Sequence, residues 1–201
     1  MKFSELSSIP FVHLYAGDLP DMPVYRNKLK IGLSLYRDDE WHIRHDVTNP
    51  LPLSDESVDI YQSEDVFEHI EYEKLPAIIQ EIHRMLKKGG LFRLSLPDYS
   101  CDILCNRTIC DSEGNFLFDP FGGGAYRKRY LFWGKKIVVN GGHVWFPKYE
   151  SVYKLLEHTP FSSIEFLHYY DENGVPHTKV IDYEKGFIKR TPDNDKRVSS
   201  P

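Results

Sequence analysis

Three consecutive stretches in the middle of the chain constrain its fold more than any others: SVDIYQS, EYEKLPAIIQEIHRMLKKGG and LFRLSLPD. In the second, Leu75, Ile78, Ile79, Ile82, Met85 and Leu86 recur at helical spacing along one face. Pro76 suits a first turn, Lys87 and Lys88 suit the negative end of the dipole, and Gly89–Gly90 supplies a stop. In the third, Phe92, Leu94 and Leu96 alternate with Arg93 and Ser95 until Pro97, the period of a strand. The first is a short strand preceded by the turn-rich SDES. Strand, helix and strand joined by a tight Gly-Gly connection make a βαβ unit, and that implies parallel strands in an α/β sheet.

Three more strands are expected upstream, in FVHLY, in KLKIGLSL around Ile31 to Leu35, and in WHIRHDV. The connections between them are short and broken by Pro20 and Pro23, so full helices do not fit there. One face of the sheet near its N-terminal half is therefore expected to be thinly covered. After Pro97 the pattern changes, and 99–146 reads as an irregular lid or insertion with hairpin character. A helix returns in KYESVYKLLEHTPF (Val152, Leu155, Leu156), then a strand in SSIEFLHYY, then a loose polar tail over 190–201. At 201 residues, without repeats, the whole of 1–201 is expected to be a single domain.

The net charge of −5 argues against a broad nucleic-acid surface. MKFSELSSIP has no apolar signal core, and no run reaches membrane-spanning length, so a cytoplasmic protein without membrane insertion is expected. Cys101, Cys105 and Cys110 are an odd set with no second Cys/His pair at zinc-finger spacing, so no metal site is read from them. Buried or half-buried thiols are the plain reading. GGGAYRKRYLFWGKK lacks the Gly-Lys-Ser/Thr order of a phosphate loop. It reads as a solvated lid segment or, more sharply, as an anion clamp for a phosphorylated or nucleotide-linked acceptor.

In open parallel sheets, ligands bind beyond the carboxyl ends of the strands. That rule selects Tyr15–Asp18, Ser34, Asp46–Val47, Ser63–Asp65 and Pro97–Asp98 together. The run HDVTNPLPLSDESVDIYQSEDVFEHIEYEKLPAIIQEIHRMLKKGGLFRLSLPDY resembles the small class I S-adenosylmethionine-dependent methyltransferases, often linked to sugar or cell-envelope biosynthesis. GGHVWFPKYESVYKLLE and YYDENGVPHTKVIDYEKGFIKR resemble that family's C-terminal half. The resemblance implies a Rossmann-like, mostly parallel sheet, S-adenosylmethionine as cofactor and a small-molecule acceptor. It also implies a further sheet strand near the C-terminus; no apolar run follows Phe187–Ile188, so that strand is absent or supplied by a partner in a homo-oligomer.

Placed on the family's pattern, Tyr15, Ala16 and Gly17 stand at the Gly-x-Gly turn that ends the first strand, with Asp18 following. Tyr15 replaces the first glycine. Ser34, seventeen residues after Gly17, stands where the family has a ribose-binding acid, a spacing near the roughly twenty of dinucleotide folds. A serine lacks the charge and bidentate reach of a carboxylate, and Asp38 or Asp39 are the nearby substitutes. Asp46 and Val47 match the adenine side, although Asp46 also suits a turn cap. Ser63, Glu64 and Asp65 match the wall near the transferred methyl, with helix capping as the competing role. For a hydroxyl acceptor a base near neutrality helps, which selects His143 in NGGHVW, His69 in FEHI and then Asp98. The departures at Tyr15 and Ser34 motivate a second reading, a methyltransferase-like fold that acts as a non-catalytic binding or regulatory subunit.

Overall fold

The computed structural model describes residues 1–26, 30–120 and 142–188, and the backbone of 129–132 and 135–138. Five parallel strands form the central sheet: β1 (His13–Ala16), β2 (Lys30–Ser34), β3 (His42–Arg44), β4 (Val58–Glu64) and β5 (Leu86–Ser95). Their spatial order is β3-β2-β1-β4-β5, so the chain reverses direction across the sheet between β1 and β4. That reversal is the switch point of a doubly wound sheet, where a crevice opens beyond the strand ends. Among the described residues between β1 and β2, the one α-helix is the four-residue α1 (Pro23–Arg26), in keeping with Pro20 and Pro23.

The long helix α2 (Leu75–Met85) joins β4 to β5. All six residues of its expected apolar face are buried, and they share one core with Leu14, Ile31, Leu33 and Tyr61 of the sheet. The helix ends earlier than the sequence suggests. Leu86 is already extended, and Lys87–Gly90 form a bulge between the pairs Val58↔Leu86 and Ile60↔Leu91. Gly89 takes φ +76°, and a Cβ on Gly90 would meet the Lys87 carbonyl at 2.8 Å. The glycines thus shape a strand bulge, and Lys87 binds Asp59 (2.8 Å) rather than capping the helix.

The opposite face of the sheet is not thinly covered. Strand alternation sends Tyr15 and Gln62 to that side, and Arg93 pairs with Gln62 in the ladder. All three are buried. Residues 182–188 lie across them: the Gln62 amide donates to the Phe187 carbonyl (2.8 Å) and Arg93 Nη1 to the Asp182 carbonyl (2.8 Å). Gly186, at φ +118°, lets this segment approach, because a Cβ there would sit 2.5 Å from Gln62 Oε1. The C-terminal part of the chain therefore replaces the helix that the short β1–β2 connection omits.

Beyond β5 come α3 (Asp102–Arg107) and two hairpins, β6 (Ile109–Cys110) with β7 (Phe116–Phe118) and β8 (Arg129–Phe132) with β9 (Lys135–Val138). The hairpin character expected of 99–146 is present in these pairs. Cys101 is buried, whereas Cys105 and Cys110 are exposed, more open than buried thiols would be. Most of GGGAYRKRYLFWGKK and the 190–201 tail lie outside the described residues. Helix α4 (Tyr149–Leu156) buries Leu155 as expected. The strand expected in SSIEFLHYY shortens to β10 (His168–Tyr170), which pairs with β11 (Pro176–Thr178) in a separate hairpin. Among the described residues, β5 is therefore an edge of the sheet.

Candidate functional site

The turn after β1 has the backbone a cofactor loop needs. Gly17 adopts φ +91°, and the nearest obstacle to a Cβ is Val66 Cγ2 at 3.4 Å. Leu14 and Ala16 face the α2 core, so Tyr15 between them must face the other way. Its ring is 4% exposed and packs edge-on against Tyr25 at 5.8 Å, beside Leu19. The side chain that replaces the expected glycine runs along the face of the sheet and leaves the strand end to the backbone. Asp18 is exposed at the tip of the turn.

A histidine that sequence reasoning passed over holds this turn. His42 is 1% exposed; its Nε2 accepts from the Leu19 amide (3.0 Å) and its Nδ1 lies 2.7 Å from Asp39 Oδ1. An Nε2 that accepts carries no proton, so Nδ1–H donates to Asp39. Asp39 also receives the Trp41 amide (2.8 Å) and Arg37 Nε (3.2 Å). Burial pushes its carboxyl up, but the His42 and Trp41 hydrogen bonds and the Arg37 charge outweigh that and hold it at about 2, below the ordinary 3.8. A depressed carboxyl stabilises the fold above its unfolded value and loses that contribution as pH falls through the folded one. Asp39→Asn is therefore expected to unfold more easily than the parent near neutrality, with the gap closing between pH 3.8 and about 2. Thermal unfolding midpoints across that window check this, and a gap that does not change with pH contradicts it.

At the other strand ends, the Ser34 hydroxyl accepts from the Tyr36 (3.0 Å) and Arg37 (2.8 Å) amides, so it caps its own loop. Asp46 closes a turn through Thr48 N (2.9 Å) and Oγ1 (2.8 Å), and Val47 lies in the main core. Ser63 is buried with its hydroxyl unbonded, and Asp65 sits at φ +54° with its amide on the Ser95 carbonyl (3.2 Å). Neither caps the next helical turn, which begins after Val66 without a side-chain cap. Glu64, the last residue of β4, receives the Tyr25 hydroxyl at 2.6 and 2.9 Å.

The two histidines singled out in the sequence meet. His69 and His143 have ring centroids 4.9 Å apart, and Nε2 of each approaches Glu68 Oε1, at 3.9 and 3.7 Å. Two hydrogen bonds bring the segments together: the Val144 amide donates to the Glu68 carbonyl (2.7 Å), and the Trp145 indole to the Phe67 carbonyl (2.9 Å). Val144 and Trp145 of NGGHVW therefore lay this loop on the turn after β4. Glu68 is 1% exposed and His69 35%, so the cluster opens on one side only.

A chain of hydrogen bonds orients His143. Arg107 holds Asp119 through Nε (3.1 Å) and Nη2 (2.9 Å), and the Tyr99 hydroxyl lies 2.9 Å from the same carboxylate and 2.6 Å from His143 Nδ1. Burial, and then Asp119, push the Tyr99 hydroxyl well above its ordinary value, so it keeps its proton. A carboxylate only accepts, so Tyr99 donates to Asp119 and its oxygen takes the His143 Nδ1 proton. In the neutral ring that leaves the lone pair on Nε2, which faces Glu68. Asp98 has a different task. Its carboxylate accepts the Ser100 (2.9 Å) and Tyr170 (2.8 Å) amides, tying the loop after β5 to the β10 hairpin; burial raises its carboxyl.

Glu68, Tyr99, Asp119 and Arg107 were not visible from motifs. The first hides beside His69 inside FEHI, and the others reach His143 only through the fold. Together, Glu68, His69 and His143 offer one carboxylate and two imidazole ligand atoms within 4.8 Å of one another.

Residues 27–94, about a third of the chain and running from β2 into β5, match the family model described as "Methyltransferase domain". A solved S-adenosylmethionine-dependent methyltransferase from Mesorhizobium loti is 17% identical, with 76% of this chain and 74% of that one aligned at a TM-score of 0.45. No curated protein matches the chain. The strand order, with its switch point beside the Gly17 turn, defines an α/β Rossmann-like fold, and its segment 27–94 is similar to a methyltransferase domain. No helix among the described residues is long and apolar enough to cross a membrane.

Proposed function

We propose that this chain is an S-adenosylmethionine-dependent methyltransferase that acts on a hydroxyl of a small molecule, of the sugar or cell-envelope-precursor kind. The match over 27–94 supports the reaction class, and the sequence resemblance supports the acceptor class. The observation that carries the hydroxyl is the meeting of His69 and His143 over buried Glu68, a few residues past the end of β4.

The residues fit the cofactor at the β1 end. Gly17 and Ala16 offer backbone without a side chain in the way, and Val66 beside Gly17 joins that turn to the segment that carries Glu68. At β2 the usual carboxylate is missing and Ser34 is engaged in its own loop, so ribose binding rests on other groups. When bound, the cofactor supplies a methyl carbon on a sulfonium, which departs as a neutral thioether once the acceptor oxygen takes the methyl. The chain positions the acceptor and manages its proton. His143 Nε2 presents the lone pair for that proton, and the Tyr99–Asp119–Arg107 chain stabilises the imidazolium that results.

Transfer of labelled methyl from S-adenosylmethionine to a panel of polyhydroxylated acceptors tests this reading. Label is expected in the acceptor, with S-adenosylhomocysteine formed in equal amount. Tight cofactor binding without transfer to any acceptor favours the non-catalytic subunit instead.

A further inference from the structure

We propose that Glu68, His69 and His143 form a binding site for a divalent first-row transition-metal ion. The inference rests on the reading above for the place of the acceptor hydroxyl and turns His143 from proton acceptor into ligand, yet binding of the ion can be measured without cofactor or acceptor.

Three features of the cluster carry it. First, the donor atoms converge: both Nε2 atoms lie within 4 Å of Glu68 Oε1, at 3.9 and 3.7 Å, and all three atoms fall within 4.8 Å of one another. Ligands that share an ion at about 2.1 Å stand roughly 3–3.5 Å apart, so closure needs shifts of only a few tenths of an ångström at the closer pairs. Second, His143 is fixed in the tautomer a metal requires. Its Nδ1 proton is committed to Tyr99, and Tyr99 is committed to Asp119, an arrangement typical of ligating histidines and their outer partners. Third, the site is buried on one side and open on the other. Glu68 and His143 are 1% and 7% exposed, whereas His69 is 35% exposed. Side chains take the buried positions, and the open side leaves room for an exchangeable ligand.

The donor set selects the kind of ion. Magnesium and calcium prefer oxygen, whereas two imidazoles with one carboxylate suit zinc, cobalt, iron or manganese. An ion there places positive charge against the acceptor oxygen and makes its proton easier to lose. It also takes the Nε2 lone pair of His143, so the proton then goes to solvent. A charged pair between Glu68 and a protonated histidine is the competing use of the same residues.

The test is a titration of the full chain, first stripped with a chelator, with Co²⁺ followed by its visible absorption. One ion per chain is expected, and Glu68→Gln and His143→Asn should each weaken binding at least tenfold. Tyr99→Phe keeps all three ligands and is expected to weaken binding by about 10-fold or more, as outer partners of ligands do. The exposed His158→Asn variant should bind as the parent does, and circular dichroism confirms that each variant is folded. No cobalt spectrum in the parent, or one unchanged by Glu68→Gln and His143→Asn, overturns the site. S-adenosylhomocysteine binding, measured on the same stripped sample, separates the two readings: if it persists without cobalt binding, the metal site fails and the cofactor reading stands.

Discussion

His143→Asn is expected to lower kcat by about 10²–10⁴-fold while S-adenosylhomocysteine affinity stays within a few-fold of the parent. The size follows from what the residue holds. Its Nε2 faces Glu68 at 3.7 Å, and its Nδ1 ends a chain of three hydrogen-bonded residues. Asparagine keeps some polarity, but has no imidazole to take a proton or an ion. Affinity for the product cofactor should survive because the Gly17 turn is built by β1, β2 and His42, not by the loop that bears His143. Steady-state rates with labelled cofactor, beside calorimetry with S-adenosylhomocysteine, separate the two effects. Equal loss of rate and cofactor affinity would place His143 in the fold of the cofactor crevice instead.

Gly32→Ala is expected to do the reverse and remove cofactor binding. Gly32 lies on β2, opposite Tyr15 in the ladder and under the Gly17 turn. A Cβ there would overlap Cδ2 of His42 and lie 2.9 Å from the Gly17 carbonyl. His42 cannot swing aside, because both ring nitrogens are bonded and the ring is buried. The turn must therefore move or the fold must strain, at a cost of about 1–3 kcal/mol, and more if the Leu19 amide loses its partner. S-adenosylhomocysteine titration and thermal unfolding measure the two consequences. Parent-like affinity would show that the turn is not the cofactor's seat.

The fold was legible where periodicity was strong. The α2 face, the two strands beside it and their parallel pairing follow from spacing alone, because a helix of eleven residues with one apolar stripe has few other uses. The bulge at Lys87–Gly90 was not legible. Two glycines after a helix read as a stop, and only the pairing with β4 shows that they lie within a strand. The cover on the second sheet face escaped for a similar reason. Residues 182–188 carry no pattern that marks them as sheet cover, and their role comes from two carbonyls that Gln62 and Arg93 reach 125 and 89 residues further along the chain.

The candidate site divides in the same way. His69 and His143 were legible as residue types suited to proton transfer near neutrality, and Tyr15 as an anomaly whose direction strand alternation then settles. Glu68, Asp119 and Tyr99 were hidden, since their meaning lies in distances between segments. Ser34 and Asp46 show the opposite case: both sit at the right strand ends, and local turns claim their side-chain oxygens.

Methyl transfer by this chain requires S-adenosylmethionine to seat above Gly17 despite Tyr15. Calorimetric titration of the full chain with S-adenosylhomocysteine decides whether it does. Saturable binding at one site per chain is expected, lost in Gly32→Ala and kept in His143→Asn. Absence of binding to the parent chain at millimolar ligand would rule the seat out.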